Sequence, residues 1–88
     1  KLDWQAQKAE QARIRKIENS LKKIEDEIAA LEEEISAIDE ECAKPENAVN
    51  SAKLNELAAR QQGCRERLET CYETWEDLSM QLDGAKDS

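Results

Sequence analysis

The chain has 88 residues, a formal net charge of −8, 39% charged residues and only 3% aromatic ones. That length supports one small domain with a thin core, and a single proline with two glycines suits long helices and excludes a turn-rich β fold. No apolar run approaches the ~18 residues of a membrane-spanning helix, and no histidine is present, which excludes histidine-based metal binding and catalysis.

Asp3 suits the N-cap of a helix starting at Trp4. Residues 1–13 read as a basic helical segment, polar with alanines. Residues 1–23 together carry a charge of +4. From Ile14 an apolar ladder takes over and repeats every seven residues. Ile14, Leu21, Ile28, Ile35 and Cys42 fall at heptad position a; Ile17, Ile24, Leu31 and Ile38 fall at d. That spacing is the seam of a supercoiled helix. Over residues 24–47 the charge swings to −9. Pro45 disfavours helical geometry at Lys44, so the first helix is expected over about 4–43. A turn follows at 44–51, with Pro45, Asn47, Asn50 and Ser51 as turn or cap residues. Asn50 or Ser51 can cap the second helix, expected over about 51–82. Its ladder is Leu54, Leu57, Gln61, Cys64, Leu68, Cys71, Trp75, Leu78 and Leu82. Gly84 is a natural left-handed terminator. The expected fold is all-α: one two-helix antiparallel coiled-coil hairpin spanning residues 1–88.

The flanking charges set the pairing. In an antiparallel pair, g faces g and e faces e. Glu27, Glu34 and Glu41 stand at g of the first helix; Lys53, Arg60 and Arg67 stand at g of the second. Two registers keep a opposite d. One pairs Ile38 with Leu54, Ile24 with Leu68 and Ile17 with Trp75. It allows Glu27–Arg67, Glu34–Arg60, Glu41–Lys53 and Glu25–Arg65. The other, shifted by one heptad, pairs Cys42 with Leu57 and allows three such pairs. The first register is preferred. Each exposed pair contributes only ~0.2–1 kcal/mol, so the charges select the partner more than they hold it.

The three cysteines lie on ladder positions. Cys64 and Cys71 are about 10 Å apart along one helix, too far for a disulfide. They read as small buried hydrophobes of a reducing compartment, and a cytoplasmic location is expected. Gln61, Gly63 and Cys64 form the weakest stretch of the seam. It reads as ordinary imperfection or as a soft joint. Trp75 and Tyr72 read as filling the widened end of the seam. No CxxC, no phosphate-binding glycine loop and no catalytic constellation is found, so neither enzyme chemistry nor a cofactor or metal is expected from these residues.

Two local patterns exceed a generic coiled coil. The start reads Lys1-Leu2-Asp3-Trp4-Gln5-Ala6-Gln7, and the second helix closes on Cys71-Tyr72-Glu73-Thr74-Trp75-Glu76-Asp77-Leu78. With a hairpin and a Pro45-Glu46 turn, the chain resembles the C-terminal coiled-coil domain of ABC-F ATPases of the Uup type. Ile14 stands where some relatives have proline, and Ala6 where glutamate is common. The resemblance implies a non-catalytic accessory domain working in cis with ATP-binding domains. It also implies nucleic acid as a partner, either DNA or ribosomal RNA. The candidate contact residues are Lys8, Arg13, Arg15, Lys16, Lys22 and Lys23, with Trp4 as a stacking platform. The alternative is a structural spacer or protein-docking arm without nucleic acid. The chain is expected to be monomeric and unattached to a membrane.

Overall fold

The computed structural model describes residues 2–87, with side chains from Asp3 to Lys86. Lys1, which opens the N-terminal motif, lies outside the described residues. Helix α1 spans Leu2–Cys42, a short α2 spans Pro45–Ala48, and α3 spans Ser51–Asp87. The two long helices pack along each other into a rod of 71 × 15 × 14 Å.

The burial pattern follows the heptads. Among the core residues, Ile17, Leu31, Ile38, Leu57, Cys64 and Cys71 are all d residues. The a residues, from Ile14 to Cys42 and from Leu54 to Leu68, are half-buried. The contact between the helices therefore runs nearer d than a. The continuous cluster is Leu31, Ile38, Leu57, Cys64 and Cys71, flanked by Ile24, Ile28, Ile35, Cys42 and Leu68.

The seam corrects the preferred register and takes the one shifted by a heptad. Gln61 reaches Asp39 and the Ile35 carbonyl, on either side of Ile38. Trp75 reaches Glu25 and not the level of Ile17, and Leu78 shares a groove with Ser20 and Ile24. Long g side chains still reach one another along that edge. Arg60 lies 3.7 Å from Glu34. Glu27 shares a groove with Arg67, and Glu41 shares one with Lys53. The e edge differs. In place of Glu25–Arg65, the Trp75 Nε1 donates to Glu25 Oε2 at 3.4 Å. One heptad on, the Tyr72 hydroxyl donates to Glu32 Oε2 at 3.5 Å. Trp75 is 38% exposed and Tyr72 46%. Neither ring fills the seam, contrary to expectation. In a two-stranded coil an a position is covered on one side only, and an indole is too large to stay within it.

Two boundaries move for physical reasons. Asp3 is not the cap; it lies in the first turn of α1, where its charge suits the positive end of the helix dipole. Gly84 does not end α3. It carries no positive φ, and the helix continues to Asp87. Ala85, one heptad beyond Leu78, is buried, and Glu10, one heptad before Ile17, is half-buried. Packing thus extends one step past both apolar ladders and holds the helix through the glycine.

The turn is more ordered than a loop. Lys44 is extended, at φ −67° and ψ 134°, as the residue before a proline should be. Pro45 then serves as the first residue of α2, where its missing N–H costs nothing. Asn47 is buried, and its Nδ2 donates to the Glu41 carbonyl at 2.7 Å. That satisfies one of the orphan carbonyls at the end of α1. Asn50 caps α3: its Oδ1 accepts from the Lys53 amide at 3.1 Å.

Gln61 and Gly63 do not break α3, which is helical throughout. The Gln61 side chain crosses to α1 and donates to Asp39 Oδ1 and to the Ile35 carbonyl at 3.5 Å. The polar a residue is thereby anchored, and the helix runs through the stretch unbroken.

Candidate nucleic-acid interface

At 100° per residue, positions b, f and c form the outer face of a coiled-coil helix, with f between the other two. On α1, Lys8, Arg15 and Lys22 occupy b, while Lys16 and Lys23 occupy c. All five are exposed. The f residues between them are Ala12 and Asn19, and Ala9 completes the face. Between residues 8 and 23 this face holds no carboxylate. The acids of that stretch, Glu10 and Glu18, stand at d and e, toward the seam. The result is a straight cationic stripe about 22 Å long.

Past the middle of α1 the same face changes sign. Asp26, Glu33 and Glu40 take the f positions, and no lysine or arginine follows at b, f or c before the turn. The outer face of α3 beside the basic half is also acidic, with Glu69, Glu73, Glu76, Asp77 and Asp83 exposed. The open end of the hairpin therefore has one basic side and one acidic side. Positive charge at this end is gathered on α1.

The remaining candidates sit differently. Arg13 stands at g, off the stripe. Its Nη2 pairs with Glu10 Oε1 at 2.9 Å, and that hydrogen bond raises the guanidinium above its ordinary value. Trp4 is 64% exposed and lies at e, one turn before Lys8. The Lys8 Nζ rests 5.2 Å from its ring centroid, a cation–π geometry. The structure thus gathers five of the six cations on one stripe, joins Trp4 to its first member, and turns Arg13 aside. That arrangement follows from heptad phase alone, because residues seven apart share a face. Counting charge by segment hides both the stripe and the acidic flank of α3.

The cysteines offer no reactive chemistry. Cys64 and Cys71 are buried and Cys42 half-buried, all as free thiols. Burial first, and then the neighbouring Glu34, pushes the Cys64 thiol up. Burial and then Glu27 do the same for Cys71. Both are held protonated and weakly nucleophilic. Among the described residues no cluster of side chains could hold a metal ion, and no helix is long and apolar enough to cross a membrane.

Comparison with known proteins yields a single finding. The family described as ABC transporter C-terminal domain matches residues 7–80. No curated protein and no solved structure matches. The matched stretch takes in both long helices, the turn and the Tyr72–Leu78 motif. It leaves out Lys1–Ala6. The chain belongs to the ABC transporter C-terminal domain family.

Proposed function

We propose that this domain is a non-catalytic arm that lays the outer face of α1 along the phosphate backbone of a nucleic acid. ATP chemistry is left to ATP-binding domains in cis. The observation that carries this is the acid-free stripe of Lys8, Arg15, Lys16, Lys22 and Lys23. In a chain of net charge −8, such a segregated stripe is the electrostatic footprint of a phosphate partner. One helix face contacting one backbone reads no bases, so binding is sequence-independent. Trp4 and Lys8 extend the stripe with a ring on which an unpaired base can stack.

The test is a salt titration of binding to branched DNA and to ribosomal RNA. Five neutralised phosphates predict a slope of about −4 in log affinity against log salt. Arg15→Glu with Lys22→Glu should abolish binding, since both lie on the stripe and line no interhelical groove. A slope near zero, or an unaffected double variant, overturns the nucleic-acid role and leaves a spacer or docking arm.

A further inference from the structure

The two edges of the seam are unequal at the open half of the hairpin. On the e edge, Trp75 and Tyr72 lie across the junction and are tied to Glu25 and Glu32. On the g edge at the same level, the bordering residues are Ser20, Thr70 and Thr74, all small. A continuous groove results. Its first stretch is walled by Arg13, Lys16 and Gln81 over Ile17 and Leu78. It continues past Ser20, Lys23, Ile24 and Thr74 and ends at Arg67, Thr70 and Cys71.

The groove combines two chemistries. Its floor is apolar and repeats by the heptad: Ile17 and Ile24 from α1, Cys71 and Leu78 from α3. Its walls carry four cations, Arg13, Lys16, Lys23 and Arg67, against one carboxylate, Glu27. A phosphate backbone has no use for an apolar floor. An amphipathic helix does, because its own heptad residues can insert between those of the floor. The cationic walls select acidic flanks on that helix. From Arg13 to Glu27 the groove runs about 21 Å, or roughly four helical turns.

We propose that the g-edge groove docks an acidic amphipathic helix of a partner protein as a third strand of the coiled coil. The site does not depend on the nucleic-acid role, although Lys16 and Lys23 border both surfaces. Docking there competes with phosphate for those two lysines.

The probe is a stapled helical peptide of about 18 residues, with leucines at heptad spacing flanked by glutamates. Its twin carries lysines in place of the glutamates. Calorimetric titration into the 88-residue chain should show the acidic peptide binding at least about tenfold tighter than its twin. Ser20→Glu and Thr74→Glu each place a carboxylate in the groove and should weaken binding by about tenfold or more. Ser36→Glu, on the outer face of α1 near the turn, should leave it unchanged. Circular dichroism on each variant verifies the helix, and Ser20→Glu, on the groove wall, serves if Thr74→Glu unfolds. Equal affinity of the two peptides overturns the proposal, as does an unaffected pair of groove variants. So does a concentration-dependent dimer that Ser20→Glu dissolves, which assigns the groove to a second copy. Loss of duplex DNA binding in the groove variants with peptide binding intact assigns it to nucleic acid instead.

Discussion

Trp75 occupies an a position, yet more than a third of its surface meets solvent. Its ring bridges the edge of the seam, and its N–H reaches Glu25 on the other helix. The stability it provides is therefore part packing and part cross-helix hydrogen bond. Trp75→Ala should cost about 1–2 kcal/mol, well below the ~3–5 kcal/mol of a sealed aromatic. Trp75→Phe keeps a ring and removes only the N–H, so it should cost under about 1 kcal/mol. Urea unfolding of the two variants measures both. A loss above ~3 kcal/mol for the alanine variant means that the indole is sealed in solution. Tyr72, three residues earlier on α3, makes the same kind of bond to Glu32, one heptad beyond Glu25 on α1. Partial burial and then the Glu32 carboxylate hold its phenol above the ordinary value. Together the two rings close one edge of the hairpin.

At the scale of the helices, Gly63 and Gly84 lie within α3 without ending it. A methyl group added at Gly63 meets nothing within 4 Å. The glycine there serves no close approach, and its backbone freedom is only a cost. Gly63→Ala should stabilise the hairpin by about 0.5–1 kcal/mol in thermal or urea unfolding; a destabilisation means that the site needs that freedom. Both long helices and their antiparallel pairing are legible in the heptads, because period is a local property of the chain. The register is not, because counting g-edge charges favours one alignment while the seam takes the alignment one heptad away, with Gln61 beside Asp39 and Trp75 beside Glu25. The ends of α1 and α3 are not. They depend on Ala85 and Glu10 continuing the d row, and neither residue looks like a ladder member alone. The buried Asn47 reads as a turn residue, but its bond to the Glu41 carbonyl requires the path of the chain through α2. The basic stripe was present in the sequence as phase, since Lys8, Arg15 and Lys22 are seven apart. The groove was not, because it exists only where small g residues of two helices meet.

The whole molecule is a lever whose charge is sorted both along its length and across its width. The cationic stripe lies near the open end and the acidic outer face of α1 lies near the turn. On the proposed function, a phosphate partner is held at one end and repelled from the other, so the arm projects away from it. This requires a straight, single rod. The Cα radius of gyration is 20.1 Å, against about 12 Å for a globular domain of this length. Small-angle scattering should return a radius within about 2 Å of 20.1 Å, independent of concentration. A bend at Gly63 shortens the 71 Å axis and lowers that radius. Side-by-side pairing leaves the radius nearly unchanged but doubles the forward scattering, and end-to-end pairing raises both. A monomeric, unbent result sustains the lever. A lowered radius relocates the soft point to the Gln61–Cys64 stretch, and doubled scattering removes the free outer face on which the phosphate contact depends.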